Sequence, residues 1–335
     1  MTKEYFRPIP MTDPHRPEGA LTLAGGWCWF DRVEVLRRDR APELIAAADL
    51  PDMVKARLTA PRASVGTLSM DRPRIMGILN VTPDSFSDGG LFNAPEAALA
   101  QARAMQAAGA DIIDVGGEST RPGAREIGVE EEISRTAPVI GSIRAGSDIP
   151  ISIDTRKSMV ARAAIGAGAS MVNDVAAFTF DPALAGITAD SGLPVCLMHA
   201  QGDPQTMQQD PRYDDVVLDV YDFLEDRIAA AEAAGIDRAR IVTDPGIGFG
   251  KTLQHNVTLL RHLSLYHALG CPILLGASRK RFIGTIAGVD DARDRMPGSL
   301  AVALAGVAHG VQILRVHDTG ETRQALSLHM ALSGA

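Results

Sequence analysis

From residue 74 onward the sequence alternates eight short apolar runs with eight longer, mostly alanine-rich segments. The runs are rich in Ile, Val and Leu at successive positions, which is typical of strands buried on both faces of a parallel sheet. The longer segments have helical length, and glycine follows most of them, as it often does after the end of a helix. Eight strands in strict alternation with eight helices predict an α/β fold, the (β/α)8 TIM barrel.

The boundaries of these elements follow from the same pattern. The predicted strands cover residues 74–82, 111–116, 150–155, 170–175, 194–199, 240–244, 272–277 and 312–317. The predicted helices cover residues 95–108, 129–144, 157–167, 182–191, 213–234, 253–269, 296–309 and 321–332. A doubly wound sheet is the competing architecture, but no G-x-G-x-x-G fingerprint opens a helix after the first strand. The glycine-rich run 246–251 also lacks the spacing of a Walker A phosphate loop.

Residues 1–73 precede this alternation and differ from it. They contain both tryptophans, Trp27 and Trp29, whose spacing predicts that they share one face of a strand. A short helix is predicted at residues 51–58. Because this stretch has no catalytic constellation, we expect it to form an N-terminal extension or small cap on a barrel of residues 74–335. A role in binding a partner is the alternative.

Charge and cysteine content narrow the class of protein. The formal net charge of −8 argues against broad nucleic-acid binding, which usually needs a basic face, but it permits a local cationic pocket. The three cysteines are widely spaced and indicate buried free thiols in a reducing compartment. The N-terminus lacks the apolar core of a signal peptide, and polar residues interrupt the apolar stretch 299–316, which predicts a core helix and strand. We therefore expect a cytoplasmic protein with neither a nucleic-acid nor a membrane partner.

Polar residues follow most of the predicted strands, and a parallel barrel gathers all such strand ends at one face. Asn80 ends the first strand and opens a long loop that contains Asp88. A neutral amide oxygen suits Mg²⁺, which needs few protein ligands when a phosphate supplies others. Asp88 could hold a metal-bound water. The alternative is that both residues only form turns.

Three further strands end in Asp154, Asn173 and Asp244. Burying these groups would be costly without hydrogen-bond partners. A carboxylate can accept two N–H bonds from a 2-amino-4-oxo ring, and an amide can satisfy a donor and an acceptor together. The three residues therefore predict a site for a nitrogen-rich heterocycle, with contacts to neighbouring protein groups as the alternative. Asp174 should face away from Asn173 and act structurally.

The loop after the second strand carries Thr120 and Arg121. A guanidinium grips carboxylates and phosphates through paired hydrogen bonds, although a solvated arginine in a turn is the alternative. We expect Glu118 or Asp114, just before this loop, to orient it by hydrogen bonds.

Basic residues cluster after the last two strands. Lys280, flanked by two arginines, follows the seventh strand, and Arg315 and His317 share one face of the eighth. The ends of these two strands are the common phosphate site of this fold, so the cluster predicts an anionic ligand. No catalytic triad and no cluster with zinc-ligand spacing stands out in the sequence. The combination favours transfer of a group with an anionic leaving group, assisted by Mg²⁺.

The strand-end segments from about residue 74 to residue 318 resemble those of the dihydropteroate synthase family. The most specific strings are residues 78–90, which read ILNVTPDSFSDGG, and residues 314–318, which read LRVHD. The resemblance implies a TIM-barrel transferase of folate biosynthesis that joins p-aminobenzoate to 6-hydroxymethyl-7,8-dihydropterin diphosphate. It would release pyrophosphate and 7,8-dihydropteroate through an SN1-like step, with Mg²⁺ as cofactor and the two small molecules as substrates. It also implies a homodimer.

The resemblance assigns roles to individual residues. Asn80 would bind Mg²⁺, and Asp88, Arg121, Asp244 and Lys280 would serve catalysis. The residues that would contact the pterin are Asp154, Asn173, Asp244 and Lys280. Those that would contact the diphosphate are Arg121, Arg315 and His317. Those that would line the aminobenzoate site are Pro83, Phe86 and Thr120.

One position departs from the family pattern, because Arg281 stands where many members carry a serine tied to the aminobenzoate carboxylate. Its guanidinium, or backbone N–H groups at a helix start, could bind the carboxylate instead. A pterin-dependent methyltransferase on the same barrel is the enzyme rival, but it would not need the Arg121 loop or the basic cluster. A catalytically silent paralogue is the other rival. It should have lost Asn80, Lys280 or Arg315, and all three are present.

Overall fold

A small antiparallel layer precedes the barrel in the chain. The computed structural model describes residues 2–82, 94–119, 124–202 and 206–333, without the side chains of residues 94 and 95. The first strands are β1 (Tyr5–Pro8), β2 (Leu21–Thr22), β3 (Trp29–Phe30), β4 (Arg32–Leu36) and β5 (Glu43–Ala46). β1, β4 and β5 form one antiparallel sheet, and β2 pairs with β3. The helix α1 (Asp52–Thr59) follows within one residue of its predicted position.

Eight parallel strands then form the barrel predicted from the sequence. They are β6 (Arg74–Asn80), β7 (Ile112–Gly116), β8 (Ile151–Asp154), β9 (Met171–Asp174), β10 (Val195–Met198), β11 (Ile241–Asp244), β12 (Leu274–Leu275) and β13 (Ile313–Val316). Hydrogen bonds join them in the order β11-β10-β9-β8-β7-β6-β13-β12, and a parallel bridge between Thr243 and Ile273 joins the two ends. The barrel is therefore confirmed, and each strand is shorter than predicted.

The barrel helices confirm the predicted alternation, with two differences. They are α2 (Ala94–Ala107), α3 (Val129–Arg144), α4 (Ser158–Gly166), α5 (Ala183–Ser191), α6 (Val216–Ala233), α7 (Leu253–Arg261), α8 (Arg281–Ala287), α9 (Met296–Ala308) and α10 (Thr319–Leu332). The predicted helix 253–269 is divided, because His262 leaves helical geometry at φ −116° and a 3-10 helix, Leu263–Leu269, follows it. The short helix α8 was not predicted. None of the described helices is both long and apolar enough to cross a membrane.

The lower part of the barrel interior is a closed apolar layer. Seven strands contribute one buried side chain each, namely Met76, Ile112, Met171, Cys196, Val242, Leu274 and Ile313. Val65 and Met70 pack into the same cluster, although they precede the first barrel strand. The predicted extension thus supplies part of the barrel core, and a division of the chain at residue 73 stays a prediction.

The antiparallel layer packs on the outside of the barrel. Trp27 Nε1 donates to Val307 O of α9 at 2.9 Å, and Tyr5 Oη donates to Asp222 Oδ2 of α6 at 2.9 Å. Trp29 Nε1 instead donates to Asp13 O at 2.8 Å within the layer. The prediction that both tryptophans share a strand face is wrong, because only Trp29 lies in a strand and Trp27 lies in the bend before it.

Candidate active site

The candidate site begins one layer above the apolar floor of the barrel. Alternate residues of a strand face the same side, so the positions two residues beyond Ile112, Met171, Val242 and Ile313 also face the interior. The residues at those positions are Asp114, Asn173, Asp244 and Arg315. On these four strands the interior side chains thus change from apolar to polar or charged over two residues, and the polar side chains form a layer, the chamber, at the carboxyl ends of the strands.

Arg315 is the centre of this layer. Its Nε donates to Asp114 Oδ2 at 2.6 Å, and its Nη2 donates to Asp154 Oδ2 at 2.7 Å. Asn173 Nδ2 lies 3.3 Å from Asp114 Oδ2 and so joins the same network. The structure thus brings together three predicted site residues from β8, β9 and β13, and Asp114 of β7 is the fully buried group that links them.

Burial and charge act in opposite directions on this network. Burial raises the pKa of Asp154 to about 7, although the neighbouring Arg315 guanidinium opposes the shift. For Arg315, burial lowers the pKa, but Asp114 and Asp154 outweigh it and hold the pKa above its ordinary value. The guanidinium therefore stays charged.

Asp244 and Lys280 form the opposite wall of the chamber. Asp244 Oδ1 accepts a hydrogen bond from Gly246 N at 2.7 Å, while Lys280 Nζ donates to Ile247 O and lies 4.6 Å from the centre of the Phe249 ring. Burial raises the pKa of Asp244, and the charge of Lys280 opposes that shift. Burial also lowers the pKa of Lys280 to about 8, against the attraction of Asp244. Each of these two charges thus opposes the pKa shift that burial causes in the other.

Asn80 lies at the end of β6, paired with Gly116 of β7. A Cβ atom on Gly116 would lie 3.7 Å from Asn80 Oδ1 and 3.6 Å from Asp154 Oδ2. The two oxygens therefore border the same space above Gly116. Within the described residues, no cluster of three or more His, Cys, Asp or Glu side chains has the arrangement of a metal site. A cation here would depend on few protein ligands and on the oxygens of its own ligand.

The basic residues after β12 and β13 have different surroundings. His317 Nδ1 lies 3.0 Å from Ser278 Oγ, and His317 N donates to the same oxygen at 3.2 Å. Arg279 is paired with the Asp318 carboxylate, with Nε 3.0 Å from Oδ2, whereas Arg281 is exposed at the start of α8. Among the described residues that follow β12 and β13, Lys280 and Arg315 face the charged groups of the polar layer, His317 lies against Ser278, and Arg279 is paired with Asp318.

A second buried network joins the two sides of the loop after β7. Lys157 Nζ donates to Glu118 Oε2 at 2.5 Å, to Ile127 O at 2.7 Å and to Glu132 Oε2 at 2.8 Å. Arg156 Nη2 also donates to Glu118, at 2.9 Å. Of the two carboxylates expected to orient this loop, Glu118 lies in this network, and Asp114 instead holds Arg315. Lys157 was not predicted from the sequence, because a lysine at the start of a helix usually faces water. Its position three residues after Asp154 could have indicated a place near the site.

Asp174 has the structural role predicted for it. Its carboxylate accepts hydrogen bonds from Ala176 N at 2.8 Å and from Phe178 N at 2.6 Å. Ala177 and Phe178 have positive φ angles of 48° and 66°, which are unfavourable for residues other than glycine. Asp174 therefore stabilises a strained loop directly after Asn173. The remaining predicted site residues lie outside the described residues; they are Pro83, Phe86, Asp88, Thr120 and Arg121.

The strand ends of this barrel carry a buried amide, paired carboxylates and basic groups. This combination is typical of an enzyme that binds nitrogen-rich, anionic ligands. Residues 76–317 match the model of the pterin binding enzyme family. Dihydropteroate synthase of Escherichia coli K12 is 47% identical over 260 residues, which span 78% of this chain and 92% of the relative.

Solved structures of dihydropteroate synthases also match this chain. Dihydropteroate synthase of Xanthomonas albilineans with 4-aminobenzoic acid is 48% identical at a TM-score of 0.76 and covers 80% of this chain and 96% of its own. The same enzyme in complex with 7,8-dihydropteroate is 44% identical at a TM-score of 0.74 and covers 82% of this chain and 100% of its own. The chain belongs to the pterin binding enzymes and, among them, to the dihydropteroate synthase family.

Proposed function

We propose that this chain joins p-aminobenzoate to 6-hydroxymethyl-7,8-dihydropterin diphosphate and releases 7,8-dihydropteroate and pyrophosphate in folate biosynthesis. The observation that carries the proposal is the polar layer, in which Asp114, Asp154, Asn173 and Arg315 form one buried network opposite Asp244 and Lys280. Buried groups of this kind are costly unless a ligand or a partner pairs with them. A pterin ring has the donors and acceptors to pair with the carboxylates and the amide.

The ring side of the substrate is assigned to Asp154, Asn173, Asp244 and Lys280. A carboxylate can accept parallel N–H bonds from the 2-amino-4-oxo part of the ring, and the Asn173 amide can serve a donor and an acceptor. The ammonium of Lys280 can donate to a ring acceptor. The negative charge of Asp244 would favour a ring that gains positive charge during the reaction.

The diphosphate side is assigned to Arg315, His317 and Arg121. Arg315 is already oriented by two carboxylates, so little reorganisation would be needed when a phosphate oxygen approaches. Departure of pyrophosphate would leave a pterin-methyl cation, in an SN1-like step, and the aryl amine would then attack it. So electrophilic a centre needs no strong general base, but water must be kept away from it. The roles of Pro83, Phe86, Asp88 and Thr120 in closing the site stay predictions.

Mg²⁺ fits the residues at the end of β6. Asn80 Oδ1 is a neutral oxygen at the edge of the chamber, and Mg²⁺ usually takes one or two protein oxygens together with waters and phosphate oxygens. Asn80 would hold the ion, and a bound Mg²⁺ would neutralise charge on the departing pyrophosphate.

Asn80→Ala tests this assignment. We expect weaker Mg²⁺-dependent turnover, with the half-maximal metal concentration raised about tenfold. The measurement is a Mg²⁺ titration of the steady-state rate at saturating substrates. An unchanged metal optimum would count against the role of Asn80.

The chain is also proposed to act as a cytoplasmic homodimer. α9 contains no charged residue, and its exposed side carries Ala301 and Ala305. On the next helix, Leu328 and Leu332 are 62% and 77% exposed. Apolar helix surfaces of this kind are typical of interfaces between copies of a chain. Analytical ultracentrifugation tests the dimer, and a monomer mass at micromolar concentration would contradict it.

Pyrophosphate release tests the function itself. The purified chain is incubated with Mg²⁺ and the pterin diphosphate, with and without p-aminobenzoate. We expect release that rises with p-aminobenzoate and yields an equal amount of dihydropteroate. Tight pterin binding without release would favour the methyltransferase or the silent paralogue instead.

A further inference from the structure

Lys251 is a buried basic residue that the proposed chemistry leaves without a role. Its side chain is 2% exposed. Its Nζ lies 2.8 Å from His199 Nδ1 and donates to Phe249 O at 3.1 Å and to His199 O at 3.4 Å. The buried bases Lys157 and Arg315 pair with carboxylates at 2.5 and 2.6 Å, whereas among the described residues no carboxylate lies within 4.0 Å of the Lys251 nitrogen. An amine in such a position is retained at a cost, so its contacts need an explanation.

These contacts join two segments that pack unusually closely. His199 follows β10, and Lys251 ends the glycine-rich run 246–251 that follows β11. A Cβ atom on Gly246 would lie 1.8 Å from His199 O, and one on Gly250 would lie 2.4 Å from Gln201 O. The run therefore presses directly on the segment after β10, and the Lys251 amine is the buried link between the two.

Residues 246–251 also contact the two charged groups on one side of the chamber, Asp244 and Lys280. Gly246 N donates to the Asp244 carboxylate at 2.7 Å. Ile247 O accepts from Lys280 Nζ, and the Phe249 ring lies 4.6 Å from that nitrogen. Any shift of the run would move a hydrogen bond of Asp244 and two contacts of Lys280 together.

We propose that Lys251 is a positioning residue for the pterin site: by tying His199 to residues 246–251, it sets where Lys280 is held opposite Asp244. This inference rests on the proposed function, since it assigns Lys251 to the same substrate site. Lys251 has the right length for the task, because one amine reaches a ring nitrogen and two carbonyl oxygens from different segments. Burial holds the pKa of Lys251 well below its ordinary value; the Asp244 carboxylate opposes this shift, and the charge of Lys280 adds to it.

The test compares Lys251→Met with Arg144→Met in the full chain. Arg144 is a matched control, because its guanidinium also donates to backbone carbonyls, those of Ser147, Ile149 and Gly168, but at the other end of the barrel. The dissociation constant of the pterin diphosphate is measured by calorimetry over a range of pH. We expect Lys251→Met to raise it about tenfold, and Arg144→Met to change it less than about twofold.

The pH profile separates positioning from simple loss of stability. Burial and the charge of Arg315 lower the pKa of Lys280, while Asp244 and Asp154 oppose this shift. If the run loosens, Lys280 gains contact with water and its pKa moves up toward its ordinary value, so the loss of binding at high pH should shift to higher pH. A smaller folded fraction would lower the binding capacity without shifting this transition.

A double variant completes the test. Because Lys251 is proposed to act through His199, Lys251→Met combined with His199→Leu should bind the pterin diphosphate no more weakly than the worse single variant. If Lys251→Met does not fold, Lys251→Gln, which keeps an N–H donor, is measured in its place. Wild-type affinity with an unshifted pH profile, or an effect equal to that of Arg144→Met, would overturn the inference. Absence of dihydropteroate from the wild type would instead overturn the proposed function.

Discussion

Arg315 is held in place before any ligand is bound, because the Asp114 and Asp154 carboxylates each accept one of its N–H groups. A guanidinium fixed in this way presents its remaining N–H groups in a known direction. Preorganised charge of this kind is the most effective way to stabilise charge that develops on a leaving group. At the scale of single residues, the structure therefore explains why the interior layer carries Asp114, a buried carboxylate that orients Arg315.

Lys280 gives a prediction for pH dependence. Burial lowers its pKa to about 8, so the ammonium form is lost as the pH rises through that value and is retained below it. We expect affinity for the pterin diphosphate to fall by about tenfold per pH unit well above about pH 8. Calorimetric titrations from about pH 6.5 to about pH 9.5 measure this. Lys280→Arg should abolish the decline, and constant wild-type affinity up to the highest pH would contradict the assignment.

Arg281 is proposed to bind the p-aminobenzoate carboxylate, because it is exposed at the start of α8, next to Lys280. Arg281→Met should raise the KM for p-aminobenzoate about tenfold, the cost of one charge-assisted hydrogen bond, and leave pterin diphosphate affinity unchanged. Arg293→Met is the control, since that guanidinium is also exposed and is paired with Asp291. Steady-state kinetics at saturating pterin diphosphate decide the matter, and equal KM values for all three proteins would disprove the proposal.

At the scale of elements, the site is built by the segments that follow the strands, and these tolerate little change. Gly246 has a φ of +68° and its position has no space for a side chain, since a Cβ atom would overlap His199 O at 1.8 Å. Strand β11 fixes the position of Asp244, and the tight turn at Gly246 fixes the residues that contact Asp244 and Lys280. The conformation of one glycine thus decides the geometry of one wall of the chamber.

Gly246→Ala should therefore be severe. We expect a loss of about 3 kcal/mol or more in the free energy of unfolding, because a backbone oxygen must move, and a loss of pterin binding. Gly288→Ala is the matched control, because Gly288 has nearly the same φ, +67°, but nothing within 4 Å of the added atom. That control should cost only about 1 kcal/mol. Chemical denaturation compares the two variants, and equal losses would show that backbone strain alone, and not the close approach, matters.

The sequence predicted the barrel strands because their apolar runs are bounded by polar strand ends, and Asp154, Asn173, Asp244 and Arg315 were found at those ends. It could not predict Asp114 as the partner of Arg315, because this contact joins residues 201 positions apart across the barrel. Helix α8 was missed, since seven residues give too little periodicity. The buried lysines, Lys157 and Lys251, were missed because a lysine in a loop or at a helix start usually faces water.

At the scale of the whole molecule, the first 73 residues complete the barrel and do not simply cover it. Met70 is 1% exposed and packs with the apolar floor, in the same cluster as Met76 and Cys196. The polar chamber lies directly above this floor. Apolar side chains beneath the chamber lower the local dielectric, and this increases the strength of the charge interactions above them.

Met70→Ala tests this relation between the N-terminal residues and the barrel. We expect a loss of about 2–5 kcal/mol in the free energy of unfolding, the usual cost of a cavity in a core. Met53→Ala in α1 is the matched control, because Met53 is 75% exposed, and it should change stability by less than about 0.5 kcal/mol. Urea denaturation measures both, and a small effect at Met70 would mean that the N-terminal segment packs only loosely on the barrel floor.

The most direct measurement of the central claim is a calorimetric titration of the wild-type chain and of Asn173→Leu with 6-hydroxymethyl-7,8-dihydropterin diphosphate in the presence of Mg²⁺. Asn173 is buried, carries no charge and belongs to the polar layer, so its replacement removes ring contacts without changing the charge of the chamber. The account predicts one site per chain in the wild type and an affinity at least about a hundredfold weaker in the variant, because a site built around hydrogen bonds loses discrimination steeply when one partner is removed. Equal affinities of the two proteins would show that the pterin does not bind in this layer.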